Sequence, residues 1–362
     1  MINELPPHIR TKYIIPAGLW VDKSQPNMNV FGDIFVRQAN ELSTVGISWN
    51  YKGKDVTSKF FPLLSSVDSV ARCKMLNMKQ FNGSFGCTYC LHPTEQINNV
   101  AKYPISANIP VLRSDYDIKE LMKKSVTLGT VTDEDTFGIK GPSFLMNLKY
   151  FDLADSLPPD YMHSVLIGAI RQITETILTS VKKKYYIGQS YKMDIINNRL
   201  LSISPPKIIT RTPRSLKERK LWRASEWRSW LLFYSLPCLR GVLPNKYLRH
   251  WSLLVNAMNI LLQDSITQTA LATARSLLIK FVVKLQSLYG KEAMTYNVHL
   301  LLHLWKSVEN FGPLWAHNTF VFENVNRLLL KNKHSPARII PQFTRRILLF
   351  QNITSFSDKT TI

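Results

Sequence analysis

The sequence has little cysteine, few acidic residues and no long apolar run. Its 362 residues include four cysteines, too few for a disulfide framework, which fits a reducing compartment. There is no stretch of about 18 uninterrupted apolar residues and no signal peptide at the N-terminus, so the sequence predicts a soluble intracellular protein. Acidic residues number 25 against 46 lysines and arginines, a net charge of +21. That excess predicts a polyanionic partner, usually nucleic acid, with an anionic membrane surface as the competing interpretation.

The chain is long enough to bury more than one core. Its beginning indicates alternating helices and strands: Asn27 resembles a helix N-cap, and β-like runs cover residues 47–51 and 56–67. Residues 165–295 show almost wholly helical periodicity, including helices over 248–263 and 270–289. These patterns predict an α/β region followed by an all-α region.

Asp68 closes an apolar run that begins at Lys59. One interpretation is a buried strand that delivers Asp68 to the edge of a sheet, where functional groups often lie. The other is that Asp68 caps a helix over residues 70–79, since Asp is a favoured N-cap residue. This stretch alone favours the cap.

Three further patterns have possible chemistry. The C-x-x-C spacing of Cys87 and Cys90 is typical of a zinc site, although reduced structural cysteines fit equally well. His299 and His303 lie one helical turn apart, but the glutamate of H-E-x-x-H is missing, which favours packed histidines. Glu323 is a single acid in an apolar stretch, and burying a lone carboxylate is costly unless it is paired or metal-bound.

The densest basic stretch lies in the helical middle of the chain, where it is interleaved with Trp222 and Trp227. Such a pattern suits a phosphate backbone, while the tryptophans themselves fit a core. The basic residues predicted to bind nucleic acid are Lys182, Lys183, Lys184, Arg211, Arg214, Lys217, Arg219, Lys220 and Arg223.

Five stretches, taken together and in order, resemble the transposase of CACTA (En/Spm-type) DNA transposons. The resemblance spans roughly residues 5–335 and is more specific than any one motif. The stretches are Ala17–Asn29; Asp68–Arg72 with Met78–Gly83; Gly86–Pro93; Gly138–Pro142 with Asp160–His163; and Gly312–His317 through Phe322–Asn324.

The resemblance implies a fold, with three parts. Residues 1–98 would form an RNase H-like core, incomplete because its first strand is missing. Residues 99–295 would form a mainly helical insertion, and residues 296–350 would return to the core as helices, followed by a loose tail over 351–362. Nuclear localisation would follow from a transposase ancestry.

The resemblance also implies site residues. Asp68 matches the second catalytic aspartate of the family and Glu323 its final glutamate, which together would hold Mg²⁺. Cys87 and Cys90 match its C-x-x-C, and Asp160 and His163 its D-x-x-H, so zinc would be held by both cysteines, His163, and His92 or Asp160. The first aspartate of the family would precede Met1, which predicts a catalytically impaired, transposon-derived DNA-binding protein. The alternative is a domesticated scaffold protein that uses the helical insertion, with the aromatic stripe from Trp227 to Tyr234 partly exposed.

Overall fold

A computed structural model describes residues 1–2, 4–11, 14–15, 17–127, 132–331 and 338–359. The chain forms two compact units. The first contains Met1–Leu63, Phe144–Phe151 and Thr319–Ile362, and the second contains Leu64–Ser143 and Asp152–Asn318. Within the described ranges, no helix combines the length and apolar character needed to cross a bilayer.

Most of the described chain is helical. Two segments of wide π-type turns extend α-helices: Tyr161–Ile170 leads into Arg171–Thr179, and Trp230–Tyr234 joins Ala224–Ser229 to Ser235–Leu239. In chain order the α-helices are α1 (Pro7–Arg10), α2 (Met28–Thr44), α3 (Ser69–Met75), α4 (Asp115–Thr127), α5 (Asp133–Thr136), α6 (Arg171–Thr179), α7 (Ser190–Leu201), α8 (Ala224–Ser229), α9 (Ser235–Leu239), α10 (Asn245–Leu261), α11 (Gln268–Tyr289), α12 (Tyr296–Leu300), α13 (Leu304–Phe311), α14 (Phe320–Lys331) and α15 (Ile339–Lys359).

The strands of the described chain form two separate antiparallel pairs. In the first unit β1 (Ile47–Tyr51) pairs with β2 (Lys54–Ser58), and in the second unit β3 (Glu95–Ile97) pairs with β4 (Val100–Lys102). The prediction of helices with some β structure is therefore confirmed at this coarse level. The RNase H-like core stays a prediction, since the described strands form no larger sheet.

In the first unit, α2 packs against the turn Phe144–Asn147. Asn27 caps α2 as predicted, because its side chain accepts the N–H of Asn29. Gly32 leaves room for the Phe144 ring, because a Cβ at this position would lie only 2.3 Å from a ring carbon. The tail predicted to be loose, residues 351–362, is helical as far as Lys359, where α15 ends, and residues 360–362 lie outside the described residues.

In the second unit, α10 and α11 pack against each other around Trp251 and Phe281, both fully buried. Gly290 ends α11 with a positive φ of 92°, a backbone conformation that glycine adopts readily. A further helix runs without a break from Tyr161 to Thr179. The buried face of this helix, which includes Val165, Leu166, Ala169 and Ile173, contributes to the core of the second unit.

Candidate metal centre

Cys87 and Cys90 lie in the loop between α3 and β3, and both are buried. Gly86 precedes them because the backbone passes close by: a Cβ at this position would lie 2.3 Å from the Gln80 carbonyl oxygen. The Tyr89 N–H donates to Cys87 Sγ at 3.4 Å. The turn therefore holds both sulfurs on its inner side, with a backbone N–H directed at one of them.

His299 lies in α12, and His303 ends the turn that joins α12 to α13. Their spacing of four residues, about one helical turn, places both rings on the same side. The two residues are 2% and 8% exposed. The second half of the cluster is thus a buried pair of imidazoles on one short helical segment.

These two segments bring four donor atoms together. His299 Nε2 lies 3.3 Å from Cys87 Sγ and 3.3 Å from Cys90 Sγ. His303 Nε2 lies 3.6 Å from Cys87 Sγ and 3.2 Å from His299 Nε2. All four ligand atoms lie within 4.8 Å of one another, and both cysteines are free thiols.

The spacing of these atoms fits a tetrahedral zinc ion. With Zn–S bonds of about 2.3 Å and Zn–N bonds of about 2.05 Å, a tetrahedron has S–N edges of about 3.6 Å and N–N edges of about 3.3 Å. The observed separations of 3.2–3.6 Å match these edges. The buried cluster of Cys87, Cys90, His299 and His303 could therefore hold a metal such as zinc. Four protein ligands complete the coordination shell, the arrangement of structural rather than catalytic zinc sites.

The electrostatics of the cluster also suit a cation. Burial raises the pKa of the Cys87 thiol, but the hydrogen bond with Cys90 and the nearby His299 and His303 outweigh it, so this pKa lies well below its usual range. The pKa of Cys90 is raised, first by its hydrogen bond to Cys87 and second by burial. Burial lowers the pKa of His299, which keeps its imidazole neutral, as a ligand must be. Binding of a divalent metal would release the remaining thiol proton.

Aromatic rings and one arginine hold the cluster in place. The Tyr103 ring stacks on His299 at 4.9 Å between centroids, and the Tyr89 ring lies 5.1 Å from His303. Arg113 is buried and donates from Nε to the carbonyl oxygen of Cys87 at 3.0 Å. Its Nη2 donates to the carbonyl oxygens of two further loop residues, Phe85 and Phe137. These contacts fix the cysteine loop before any metal binds.

The other residues proposed as zinc ligands have different partners. Both ring nitrogens of His92 lie at hydrogen-bond distance from backbone carbonyl oxygens, at 2.7 and 3.0 Å. Asp160 caps the helix that begins at Tyr161, and its Oδ2 accepts both the N–H and Nδ1 of His163, at 2.8 and 2.7 Å. The structure thus joins the two cysteines to His299 and His303, and His92, Asp160 and His163 are not part of that group.

Asp68 is the N-cap of α3, the interpretation that the local sequence favours. Its Oδ1 accepts the Ala71 N–H at 2.7 Å. The strand predicted to precede it does not form, because β2 ends at Ser58 and residues 59–68 have no regular structure. Instead, the Ser65 N–H donates to a backbone carbonyl oxygen and the Ser66 hydroxyl does the same. A cap, rather than a strand end, positions the Asp68 carboxylate.

Glu323 lies in the first turn of α14 and is exposed, so the expectation of a buried lone carboxylate is wrong. It belongs to the first unit, while Asp68 belongs to the second. Among the residues that the structure describes, neither acid is part of a group of three or more metal-binding side chains. Mg²⁺ binding by these acids therefore has no support from donor geometry.

The nine basic residues of the predicted nucleic-acid site divide into two groups. Three form ion pairs: Arg214 with Glu226 at 2.6 Å, Lys217 with Asp194 at 2.9 Å, and Arg219 with Glu175 at 2.8 Å. The others are exposed, and none of them forms an ion pair with an acid of the described chain: Lys182, Lys183, Lys184, Arg211, Lys220 and Arg223.

The tryptophans beside this region belong to the core, as expected. Trp227 and Trp230 are each 1% exposed, and Trp222 packs edge-on against Trp227 at 5.0 Å. The Trp230 indole N–H donates to Thr174 Oγ1 at 3.3 Å, which satisfies its polar edge. Tyr234 is also buried. The aromatic stripe that a scaffold function would expose is therefore interior.

Comparison with known proteins adds no family. No protein-family model matches the chain, and no curated protein matches it significantly. The resemblance to CACTA transposases rests on the five stretches of sequence alone.

The sequence pattern was interpreted as favouring packed histidines at His299 and His303, not metal ligands. C-x₂-C followed by H-x₃-H is a spacing found in structural zinc sites, which need no glutamate. The signal was therefore present in His299 and His303, but it required comparison with a structural site instead of the catalytic H-E-x-x-H motif.

Proposed function

We propose that this chain is a transposon-derived DNA-binding protein whose helical unit is held together by a structural zinc ion. The observation that carries the DNA-binding part is the separation of the basic residues into two groups. Glu175, Asp194 and Glu226 neutralise one group, and the exposed lysines and arginines of the other form no ion pair with an acid of the described chain. Unpaired surface cations can release condensed counterions from a phosphate backbone.

Salt dependence of duplex binding tests this proposal. We expect the protein to bind a 20-base-pair duplex in a fluorescence anisotropy titration, with affinity that falls steeply between 50 and 200 mM salt. Replacing Lys182, Lys183 and Lys184 together by Gln should reduce the slope of log K against log salt by about 2 to 3, since each phosphate contact contributes about 0.9.

A matched variant controls for net charge. Lys119, Lys123 and Lys291 each form an ion pair with an acid, so replacing all three by Gln removes the same number of positive charges. We expect this variant to retain most of the wild-type slope. Equal effects of the two triple variants would mean that net charge alone drives binding, and would contradict a defined basic surface.

Zinc has a structural role in this proposal. The ion would join the cysteine loop to α12 and supply a cross-link within the second unit, and all four ligands come from the chain itself. The thiolates neutralise the charge of the ion, which suits a buried position. DNA binding would then depend on zinc only through the stability of the unit that presents the lysines.

Catalysis is proposed to be impaired. In the transposase resemblance Asp68 and Glu323 would hold Mg²⁺, but Asp68 accepts the Ala71 N–H as a helix cap and Glu323 is exposed. We expect no Mg²⁺-dependent nicking of supercoiled plasmid by purified protein. Robust nicking that disappears in Asp68→Asn would overturn this part of the proposal. RNase H-like ancestry and a nuclear location remain part of the same proposal and rest on the sequence motifs.

A further inference from the structure

A cavity of about 390 Å³ lies beside the metal centre, wholly within the second unit. The loop over residues 105–112 forms one side, and α11 and α13 form the others. Cys90, His299 and His303 contribute to its wall. The loop is tied to α11, because the Ile105 N–H donates to the Gln286 side chain at 2.7 Å and the Ile105 carbonyl oxygen accepts from it at 3.1 Å. The volume is typical of a site for a small organic ligand.

The wall is largely apolar, and several of its side chains are open to solvent. Ile109 is 92% exposed, and Ile279 and Val283 of α11 are 42% and 47% exposed. Trp305 of α13 supplies an aromatic face. Apolar groups that converge on one concave site and remain uncovered favour a ligand with an apolar body.

The charges on the wall favour an anion. The wall includes three cationic side chains and one carboxylate. The cations are Arg113, Arg275 and Lys306, and the carboxylate is Asp155. The Arg275 guanidinium lies 4.2 Å from the centroid of the Trp305 ring. Arg275 forms no ion pair with a described acid, whereas Lys306 pairs with an acid of its own helix. Arg275 is therefore a cation available at the mouth of the cavity.

Two buried nitrogens of residues on the same wall have no hydrogen-bond partner among the described residues. They are Nη1 of Arg113, a residue 7% exposed, and Nδ1 of His299. Arg113 Nη1 is always a donor. If His299 binds zinc through Nε2, its Nδ1 carries the proton and also donates. A buried donor without an acceptor is costly, but both nitrogens are closed to solvent, so a ligand in the cavity does not reach them unless the wall shifts. The preference for an acidic group therefore rests on Arg275.

We propose that this cavity is a binding site for an amphiphilic anion, a molecule with an apolar body and one acidic group. The apolar body lies against Ile109, Ile279 and Trp305, and the acidic group is directed toward the cationic side chains. The contribution of Arg275 does not rest on the proposed zinc site. A free carboxylic acid and the C-terminal residue of a peptide share this chemistry.

The probe is 1-anilinonaphthalene-8-sulfonate, an aromatic body with one sulfonate, whose fluorescence rises in an apolar site. We expect saturable binding to the folded protein and displacement by decanoate or by the dipeptide acid N-acetyl-Ile-Leu. The neutral analogues, decanol and the dipeptide amide, should displace it at least about tenfold less well. The acid that displaces more tightly identifies the source. Displacement by neither acid, or equal displacement by a thymidine pentanucleotide, would overturn the proposal.

Two variants locate the probe. Ile279→Trp fills the cavity from its exposed side and should weaken probe binding at least about tenfold, while Ile208→Trp, at a position 89% exposed and outside the cavity, should have no effect. Arg275→Gln should reduce the preference for decanoate over decanol. Unchanged binding in Ile279→Trp contradicts the assignment. Zinc content is measured separately: a protein without zinc that still binds the probe in this manner refutes the zinc proposal and leaves the cavity proposal intact.

Discussion

The cysteine–histidine cluster and the two acids Asp68 and Glu323 differ in what surrounds each functional group. In the cluster, donor atoms as far as 216 residues apart in sequence, on Cys87 and His303, meet at 3.6 Å in a buried space. Asp68 directs its carboxylate to a backbone N–H three residues away, and Glu323 lies on an exposed helical surface. The cluster brings together polar groups that are distant in sequence, whereas Asp68 and Glu323 each lie in a local helical environment.

This difference shows which polar groups the fold itself explains. A capping carboxylate is fully accounted for by the helix that it begins. The four convergent donor atoms of the cluster lie 3.2–3.6 Å apart, as they would around one tetrahedral zinc ion. The cluster could therefore hold a metal on the basis of its geometry alone, whereas the acids acquire a catalytic role only from the transposase resemblance.

Removing a cysteine of the cluster should have the largest effect. Cys87→Ser should abolish stoichiometric zinc in the purified protein and lower the free energy of unfolding by more than about 5 kcal/mol, because structural zinc sites contribute about 10–16 kcal/mol of binding free energy. Elemental analysis and urea unfolding measure both quantities. Treatment of the wild-type protein with a strong chelator should reproduce the loss of stability and should not destabilise Cys87→Ser further.

Cys238→Ser is the matched control, since Cys238 is also a fully buried free cysteine and lies outside the cluster. We expect it to retain one zinc per chain and to lose about 1–3 kcal/mol from burial of a hydroxyl. If the two variants lose equal stability and neither changes the zinc content, the cluster is not a metal site, and the contrast with the acids disappears.

His250 is a buried histidine of the same unit that lies outside the cysteine–histidine cluster. Burial lowers its pKa from 6.5 to about 4, while its Nε2 bonds the Phe281 carbonyl oxygen at 2.8 Å and nearby Lys284 opposes a second positive charge. Because the folded pKa lies below the unfolded one, its stabilisation is complete above pH 6.5 and is lost as the pH falls from 6.5 to 4. The loss reaches about 3 kcal/mol.

Urea unfolding at pH 7 and pH 4.5 checks this effect, with His250→Gln as the comparison. Gln retains a donor for the Phe281 carbonyl oxygen but does not titrate, so the fall in stability between the two pH values should be smaller in the variant by about 2–3 kcal/mol. An identical fall in both proteins would assign the acid sensitivity to other groups. The zinc content of His250→Gln should equal that of the wild type, unlike that of His299→Gln.

The elements predicted correctly are those with local signals at their ends. Asn27 is the N-cap that starts α2, and Gly290 is the C-cap that ends α11. The effect of both residues depends only on the immediate backbone. The strand expected over residues 56–67 extends only to Ser58, because a strand needs a partner and β2 has only the five residues of β1 in the described chain. An apolar run does not reveal whether that partner exists.

Two of the four residues of the candidate site, Cys87 and Cys90, could be predicted from the sequence. The spacing of Cys87 and Cys90 is a local pattern typical of zinc sites, whereas the assignment of their partners requires knowing which distant segment returns to the loop. His163 was favoured by resemblance, but its Nδ1 and N–H are both directed to Asp160. The convergence of the loop with α12 is a property of tertiary packing, and no local spacing encodes it.

Asp68→Ala tests the local use of the first acid. Loss of the cap should lower the free energy of unfolding by about 1 kcal/mol, while Asp68→Asn should stay within a few tenths of the wild type, because Asn caps equally well. Unfolding is measured in urea with and without 5 mM Mg²⁺. A metal ligand would behave differently: Mg²⁺ would stabilise the wild type, and Asp68→Asn would remove that stabilisation.

Glu323→Gln should have the smallest effect. Glu323 is exposed in the first turn of α14, where its charge interacts favourably with the helix N-terminus, so the neutral variant should lose no more than about 0.5 kcal/mol. The loss should shrink further in 0.5 M salt, since screening weakens interactions between exposed charges. A change of more than about 2 kcal/mol that salt does not alter would instead indicate a desolvated carboxylate with a specific partner. That result would restore the case for a paired acid site at Glu323.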